Sequence, residues 1–408
     1  MNCRHCQSPL RLSMINLGTA PPSNAYLSEK DLHAPEVWYP LRVLVCETCW
    51  LVQTEDYAKA NELFDAHYAY FSGYSSSWLG HCERYVDTVV RKLALDQSSL
   101  VVEVASNDGS LLQFVKQRGI PCLGVEPTHS TAQVSRDRGI DVVERFFGTE
   151  LAHELIRNVG PADLVVANNV MAHVPDVNDF ARGLYHLLKP RGVVTLEFPH
   201  LLNLIGGNQF DTIYHEHFSY LSFTAFNAIA RTNGLRVTNV EHLETHGGSL
   251  RVYCSRAEAI DHQVAPSVDS LLQHEQESGI TDPRFYIGVQ SRAERAKDDL
   301  LSFLLTVRKE GRLVVGYGAA AKGNTLLNFA GVRSDLLPYV VDLNPAKQGK
   351  SLPGSRIPIA GEDRLRTDRP DYIVIFPWNI ATEIRRQIQY VREWGCRFVV
   401  AIPELRID

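Results

Sequence analysis

The chain has 408 residues, of which 45% are hydrophobic and 22% are charged, and its formal net charge is -6. This length is too great for one hydrophobic core, so we expect two or three domains of an ordinary globular protein. Without a broad basic field, nucleic acid and anionic membranes are excluded as main partners. No apolar run reaches the length of a membrane span and the first residues lack a signal-peptide core, which predicts a cytoplasmic protein.

Four of the eight cysteines form two Cys-x-x-Cys pairs, Cys3 with Cys6 and Cys46 with Cys49. Disulfides are rare in the cytoplasm, and two such pairs in one short region are typical of a tetrahedral zinc site with four thiolate ligands. Because all four positions are filled, the predicted zinc ion is structural. We expect this zinc-binding domain to span residues 1–72, and two unrelated cysteine pairs are the alternative interpretation.

A stretch rich in small polar and aromatic residues follows, HYAYFSGYSSSW at residues 67–78. This composition is typical of a connector. Tyr68 and Tyr70 could reach into a neighbouring cleft, which makes them candidate catalytic residues. They could equally pack under the connector as amphipathic filler.

Apolar strands alternate with segments of helical length from about residue 98 to residue 257. The seven candidate strands lie in SLVVEVASNDGSLL, PCLGVEPT, DVVERFF, ADLVVANNVMAHV, GVVTLEFP, LRVTNVEHL and SLRVYCSRA. Alternation at this spacing predicts an α/β domain with a parallel, doubly wound sheet. The last two strands can complete the sheet as a hairpin-like pair, and we place the domain at residues 73–257.

The first turn of this domain, Glu103 to Gly109 (EVASNDG), lies beyond the carboxyl end of a strand, where open parallel sheets bind their ligands. It is not a Gly-x-Gly-x-x-Gly pattern. Its acidic residues and amide suit a cationic ligand that carries an amino-acid group better than a pyrophosphate. Glu126 ends the second candidate strand, where a carboxylate can accept hydrogen bonds from both hydroxyls of a ribose. The pattern resembles a class I S-adenosylmethionine-dependent methyltransferase core, and a polar turn without a ligand is the alternative.

The last region, which we place at residues 258–408, begins with a long polar helical stretch at about 262–311 and continues as a second α/β unit. Its turn from Gly316 opens a helix, where backbone N–H groups and the charge of Lys322 can hold a phosphate. Asp342 after the next strand keeps an NAD-type interpretation open, whereas the position of Lys322 favours a nucleotide diphosphate. A tight turn without a ligand is the third interpretation.

The whole chain resembles the family of nucleotide-sugar C-methyltransferases, which make C3-branched deoxysugars. The resemblance rests on the two Cys-x-x-Cys pairs and on EVASNDGSLL, NNVMAHVPD, YHEHFSYLS, THGGSLRVY and GYGAAAKGNTLLN. It implies an N-terminal structural zinc (Zn2+) domain, an S-adenosylmethionine-binding core and a C-terminal domain that shares the cleft of a nucleotide-diphosphate sugar. The turn EVASNDG has fewer glycines than many methyltransferases have there.

The resemblance also implies two sets of binding residues. For the cofactor these are Glu103, Ala105, Ser106, Asn107, Gly109, Glu126, Pro127, Asn168 and Asn169, and for the substrate Gly316, Gly318, Lys322 and Asn324.

The stretch FDTIYHEHFSYLS, residues 210–222, places a phenol, two imidazoles and a carboxylate in four consecutive positions. Methylating carbon requires a carbanion equivalent, which a 4-keto sugar supplies when a base removes the proton at C3. We predict that His217 is this base, because imidazole titrates near neutrality. Glu216 is predicted to orient a ring or hold the sugar, and Tyr214 to donate to the enolate oxygen. His173, after the fourth strand, is predicted to face the same cleft, and the family resemblance points to the same positions.

Several alternatives stay open for this stretch and for the protein. In an extended segment, Tyr214 and Glu216 share one side, and His215 and His217 share the other. The cluster could be a buried hydrogen-bonded network without catalysis, or His215 and His217 could bind a metal for which the sequence places no third ligand. The chain could also be an NAD-dependent oxidoreductase that uses the C-terminal turn, or a non-catalytic nucleotide-sugar-binding protein.

Overall fold

The structure, a computed structural model, describes residues 1–57, Leu63 and residues 71–408. Three β-sheets organise this part of the chain. Tyr68 and Tyr70, two of the predicted catalytic residues, lie outside the described residues. Among the helices that are described, none combines the length and the hydropathy needed to cross a membrane.

The N-terminal sheet has four antiparallel strands in the order β1-β2-β3-β9. Their bounds are β1 Leu12–Ala20, β2 Tyr39–Val45, β3 Val52–Thr54 and β9 Ser219–Tyr220, with a 3-10 turn at Asp31–His33. The fourth strand comes from far along the chain and begins two residues after His217. The N-terminal sheet therefore holds one end of the stretch in which the sequence predicts catalysis.

The middle sheet has seven strands in the order β10-β11-β8-β7-β4-β5-β6. Their bounds are β4 Val101–Val104, β5 Cys122–Val125, β6 Val142–Val143, β7 Ala162–Asn168, β8 Leu188–Pro199, β10 Leu235–Leu243 and β11 Ser249–Arg256. Strands β4 to β8 are parallel, and β11 runs antiparallel to both of its neighbours. All seven candidate strands and the α/β class with a class I methyltransferase-like core are thus confirmed.

Alternate residues of the middle sheet pack on opposite faces. Val102 and Val165 belong to one apolar core with the helices on one side, whereas Val101 and Val166 belong to a second core on the other. Burial on both faces explains why these strands are apolar throughout. The helices are α1 Ser76–Leu93, α2 Leu112–Gln117, α3 His129–Asp137, α4 Thr149–Asn158, α5 Val177–Leu187, α6 Leu201–Gly206 and α7 Phe223–Thr232, with 3-10 turns at Ser72–Tyr74, Met171–His173, Phe210–Thr212 and Thr245–Gly247.

The C-terminal sheet has six strands in the order β14-β13-β12-β15-β16-β17. The strands are β12 Val314–Tyr317, β13 Val340–Val341, β14 Ile359–Ala360, β15 Tyr372–Ile375, β16 Arg397–Val400 and β17 Arg406–Ile407. The helices that follow the middle sheet are α8 Pro266–Glu277, α9 Val289–Lys309, α10 Ala321–Ala330, α11 Asp363–Asp368 and α12 Ala381–Gln387, with 3-10 turns at Pro283–Tyr286, Trp378–Ile380 and Gln389–Trp394.

The helical stretch expected at residues 262–311 is two helices rather than one. Gly279 and Gly288 both have positive φ, 87° and 84°, and Pro283 opens the 3-10 turn between them. A proline and two left-handed glycines cannot continue an α-helix, which explains the break. The first of the two helices, α8, packs on β10 and α7 of the middle sheet, so the segment after residue 257 first covers that sheet.

The N-terminal and C-terminal sheets share one apolar core. Strand β1 packs on α9 and α10, and Ile15 and Leu17 lie in the same cluster as Leu304 and Leu326. The domain boundaries at residues 72 and 257 stay predictions. What the packing does establish is that the first and last parts of the chain meet above the carboxyl edge of the middle sheet, next to the YHEH stretch.

Candidate functional site

The four paired cysteines converge on one point. Their sulfur atoms all lie within 4.8 Å of one another, with Sγ–Sγ distances of 3.5 Å from Cys3 to Cys49 and from Cys6 to Cys46. Zinc–sulfur bonds of about 2.3 Å in a tetrahedron separate the sulfurs by about 3.8 Å, so the donor set fits one zinc ion. Gln53 donates from Nε2 to Cys3 Sγ at 3.3 Å and orients that ligand. With all four positions taken by thiolates, the site is structural.

A cavity of about 370 Å³ lies at the carboxyl edge of the middle sheet. Eight of the nine predicted cofactor-binding residues line it, namely Glu103, Ala105, Ser106, Asn107, Glu126, Pro127, Asn168 and Asn169. Gly109, the ninth, has φ +76°, and a Cβ there would lie 2.6 Å from Ser135 Oγ. Gly109 therefore shapes the turn and packs it on α3 rather than lining the cavity.

Glu126 ties the turn after β4 to the end of β5. Its carboxylate accepts hydrogen bonds from the backbone N–H groups of Asn107, at 2.9 Å, and Thr128, at 3.0 Å. Each oxygen keeps a second lone pair, which a ribose hydroxyl can use. Ala105 and Asn107 hold positive φ values of 57° and 50°, so the turn keeps a left-handed shape without glycine at these two positions.

Several polar atoms around the cavity are buried without a hydrogen-bond partner among the described residues. They are Glu103 Oε2, Ser106 Oγ and both amide atoms of Asn168 and of Asn169. Burial, together with the nearby carboxylates of Asp108, Glu126 and Glu197, raises the pKa of Glu103 well above its usual value. Unpaired buried polar atoms are costly, and a ligand with ammonium, hydroxyl and cationic groups would satisfy them. The residues therefore fit S-adenosylmethionine.

His217 lies at the centre of an aromatic cluster beside this cavity. Its ring centroid is 4.0 Å from that of Tyr214 and 4.7 Å from that of His173, which lines the cavity. His217 Nδ1 is 2.8 Å from the carbonyl oxygen of Thr212. Because a carbonyl only accepts, Nδ1 carries the proton and Nε2 is the basic nitrogen. Burial lowers the pKa of His217 and lowers that of His173 to about 4, so both rings are neutral at neutral pH.

The expected alternation of side chains in the YHEH stretch is wrong, because the stretch is a turn. His217 N–H donates to the Tyr214 carbonyl at 2.9 Å, which brings the rings of Tyr214 and His217 together at an interplanar angle of 31°. Glu216 points away from the imidazoles, and its carboxylate accepts from the backbone N–H groups of Asn24, at 2.9 Å, and Ser23, at 3.4 Å. Burial raises the pKa of Glu216. Among the described residues, its hydrogen bonds thus hold the loop after β1 rather than an imidazole ring.

His215 faces the N-terminal sheet, where its Nε2 lies 3.2 Å from the Pro40 carbonyl oxygen. It does not share a metal-binding arrangement with His217. Within the described ranges, the four-cysteine cluster is the one group of three or more His, Cys, Asp or Glu that could hold a metal ion. The metal interpretation of the two histidines therefore gains no support.

Lys322, at the start of α10, reaches the histidine cluster from the C-terminal unit. Its Nζ donates to Asn379 Oδ1 at 2.6 Å and lies 4.4 Å from the ring centroid of Trp378. Trp378 Nε1 in turn donates to Asp211 Oδ2 at 2.7 Å, and Asp211 precedes the residue that fixes His217. Burial lowers the pKa of Lys322 to about 8, and the charge of Asp211 opposes this shift.

The other predicted substrate residues are in close contact with protein atoms, although Asn324 Oδ1 is buried without a partner among the described residues. A Cβ at Gly316 would lie 2.7 Å from Val340, and one at Gly318, whose φ is +86°, would lie 2.5 Å from Pro377. Asn324 Nδ2 donates to the Ser23 carbonyl at 2.6 Å. The two glycines therefore serve close packing, and Asn324 holds the same loop that Glu216 holds.

Three residues near the cluster were missed by the sequence-based reasoning: Asp211, His246 and Trp378. Asp211 lies inside the stretch that was singled out, but nothing local marks its side chain as functional. His246 stands before a Gly-Gly pair that follows a strand, and Trp378 follows a strand of the C-terminal sheet; both are positions where ligands of α/β sheets bind. Their position after a strand is the signal by which both could have been found.

Three protein-family models match the chain. They describe a zinc-binding domain at residues 3–64, a methyltransferase domain at residues 78–240 and a C-methyltransferase C-terminal domain at residues 244–403. Over 405 residues the chain is 36% identical to the C-methyltransferase NovU of Streptomyces niveus, and the alignment covers 99% of this chain and 96% of NovU.

Similar solved structures each cover less than half of the chain. The magnesium protoporphyrin IX methyltransferase of Synechocystis PCC 6803 with bound S-adenosylmethionine is 17% identical, with a TM-score of 0.33, and the match covers 44% of this chain and 81% of that one. The CcbJ methyltransferase of Streptomyces caelestis is 12% identical, with a TM-score of 0.35, over 43% of this chain and 89% of that one.

Proposed function

The chain belongs to the C-methyltransferase family, and we propose that it methylates C3 of a 4-keto deoxysugar carried on a nucleoside diphosphate. S-adenosylmethionine is the methyl donor and supplies an electrophilic methyl group. The observation that carries the proposal is the setting of His217, whose Nδ1–H is held by a backbone carbonyl while its ring centroid lies 4.0 Å from that of Tyr214. This is the arrangement that a base for an acidic C–H group needs.

The base step follows from the tautomer of His217. Its Nε2 takes the C3 proton, and the Thr212 carbonyl then stabilises the imidazolium through the Nδ1–H bond. The pair of electrons left at C3 delocalises onto the C4 oxygen, where the Tyr214 hydroxyl donates a hydrogen bond. His173, whose Nδ1 donates to the Glu216 carbonyl at 2.7 Å, fixes the turn that carries both groups.

The substrate enters from the C-terminal unit in this proposal. Lys322 and the backbone at the start of α10 bind the diphosphate, since a cation and a helix N-terminus both favour phosphate. The hydrogen bond from Trp378 to Asp211 keeps Lys322 beside the histidine cluster. Glu216 positions the catalytic turn through the loop at Ser23 and Asn24.

The test separates proton removal from methyl transfer. The enzyme is incubated with a 4-keto nucleotide sugar in deuterated water together with S-adenosylhomocysteine, which has no methyl group to give. Wild type should exchange deuterium into C3, and His217→Asn should lose about 100- to 10,000-fold in exchange and in methylation, as loss of a general base typically costs. Tyr214→Phe should lose less, because it removes one donor to the oxygen.

His215→Asn is the matched control, because His215 lies in the same turn but faces the N-terminal sheet. It should exchange and methylate at nearly the wild-type rate. If His217→Asn keeps the wild-type rates, His217 is not the base, and His173, Tyr68 and Tyr70 are the next residues to test.

A further inference from the structure

The turn between β10 and β11 carries another histidine, His246, into the wall of the cavity. Strand β10 runs in the same direction as β8, because β11 is antiparallel to both. The turn therefore lies at the carboxyl edge of the sheet, the edge at which Glu126 and the Asn168–Asn169 pair also lie. His173, whose ring packs at a tilt against that of His217, lines the same cavity.

The backbone of this turn is held in an unusual conformation. His246 has φ 56° and ψ 25°, in the left-handed region that a residue with a Cβ seldom adopts. Gln209 Nε2 donates to the Gly247 carbonyl at 2.8 Å, and a Cβ at Gly247 would lie 2.5 Å from the ring of Trp378. The flanking contacts thus impose the conformation, and strain of this kind is concentrated at functional sites.

The ring of His246 has a polar atom that the described protein leaves unsatisfied. Its Nδ1 is buried and has no hydrogen-bond partner among the described residues, and its ring meets the edge of Trp78 at a centroid distance of 5.5 Å. Burial and the charge of Lys322 lower the pKa of His246 to about 4. The imidazole is therefore neutral at neutral pH and offers one donor and one acceptor to a ligand.

The acceptor sugar would arrive next to this ring. Trp378 packs directly on Gly247, and Lys322 Nζ lies 4.4 Å from the ring centroid of the same tryptophan. A nucleotide sugar whose diphosphate binds at Lys322 then has its sugar at the His246 turn. The polar group of the sugar that changes most during the reaction is the C4 oxygen.

We propose that His246 is a second hydrogen-bond donor to the C4 oxygen, opposite Tyr214, and this rests on the proposed function. When the C3–H bond breaks, the proton goes to His217 Nε2, and the bonding electrons form the C3=C4 bond. The carbonyl π electrons move to the C4 oxygen, where His246 N–H stabilises the charge without giving up its proton. Removing one donor of an oxyanion site costs about 100- to 1,000-fold in rate.

The key variant is His246→Asn, because asparagine tolerates the left-handed backbone while its side chain is shorter. Its C3 exchange in the presence of S-adenosylhomocysteine should fall about 100-fold, with methylation falling in parallel. Its affinity for S-adenosylmethionine, measured by calorimetry, should stay unchanged. His242→Asn, an exposed histidine on the same hairpin, is the control and should behave as wild type.

A second variant, His246→Gly, removes the ring and relaxes the backbone. Added imidazole should restore part of its exchange rate, which a purely structural role would not allow. Wild-type exchange in His246→Asn overturns the inference, and so does a loss confined to S-adenosylmethionine affinity. If wild type itself neither exchanges nor methylates 4-keto sugars, the proposed function is wrong. If wild type is active and His217→Asn is not, but His246→Asn exchanges as wild type does, the proposed function stands and the role of His246 is wrong.

Discussion

The turn after β4 and the turn after β12 occupy the same place in two α/β units, yet their polar groups have different partners. Around the turn after β4, atoms of Glu103 and Ser106 are buried without partners among the described residues and border the cavity. Around the turn after β12, the Asp342 carboxylate accepts from the Ala319 N–H at 2.8 Å. The Ala319 carbonyl accepts from the Tyr26 hydroxyl at 2.5 Å. A shared strand–turn–helix pattern therefore does not make both turns cofactor sites.

The contacts of the turn after β12 also argue against the interpretation that this turn binds NAD. That interpretation needs the Asp342 carboxylate for a ribose. Its oxygens accept from the backbone N–H groups of Ala319 and Asn344, as those of Glu126 accept from two backbone N–H groups, but Asp342 Oδ2 also lies 3.7 Å from the ammonium of Lys347. The loop after β1 covers the same turn through Tyr26 and Ser23. Lys322 is then the group of this turn that is best placed to meet a substrate.

Removing zinc should disrupt the contacts of the turn after β12 and leave the turn after β4 intact. We expect this change to have the largest effect on activity. Structural zinc contributes on the order of 10 kcal/mol or more to folding, so Cys49→Ser or chelation should unfold the N-terminal unit. The contacts of Ser23 with Asn324 and Glu216 would be lost with it, and methylation would stop. Calorimetry should still detect S-adenosylmethionine binding.

The zinc content itself is checked by elemental analysis, which should give about one ion per chain. Cys122→Ser serves as the control, since Cys122 lies in β5, away from the cluster. A zinc-free protein with full activity and an unchanged melting temperature would contradict the prediction.

Glu126→Ala should weaken S-adenosylmethionine binding and leave the second turn intact. A hydrogen bond to a charged group contributes about 1.5–3 kcal/mol, which corresponds to a loss of affinity of about 10- to 200-fold. Asp342→Asn is the matched change at the second turn, and its S-adenosylmethionine affinity should equal that of wild type. Equal affinities of wild type and Glu126→Ala in calorimetry would remove Glu126 from the cofactor site.

Lys322→Met should have the smallest effect of the three, and it acts on the acceptor. Loss of one charge-assisted contact to the diphosphate, about 1.5 kcal/mol, should raise the KM of the nucleotide sugar about 10-fold with little change in kcat. Lys347→Met is the control, because Lys347 donates to the Ala319 carbonyl within the protein. A fall in kcat at constant KM would instead place the Lys322 ammonium at the reacting carbon.

The strands and the cysteine cluster could be predicted because their signals are local. Apolar runs such as β4 and β7 are buried on both faces, and the ligand spacing of Cys3 with Cys6 is a property of a few consecutive residues. The same holds for the acid at the end of β5. Each of these signals needs only a short window of sequence.

The rest of the site depends on contacts between distant segments. The turn at Tyr214–His217 is set by one backbone hydrogen bond, which the pattern of side chains does not reveal. Trp378 reaches Asp211 only when the C-terminal unit is packed on the middle one. Glu216 has the residue type of a catalytic group, but its partners Ser23 and Asn24 lie in the loop after β1, 193 and 192 residues away in sequence, so its contacts could not be inferred from its neighbours.

The bond from Glu216 to the loop after β1 has a consequence for chimeric enzymes. Two of its donors are the main-chain N–H groups of positions 23 and 24, which every amino acid except proline supplies. An N-terminal unit taken from a relative can therefore carry another side chain at position 23 and still bind Glu216. Loop length and the placement of Pro22 would decide whether such a transplant works, and a proline moved one position along would uncouple the two modules.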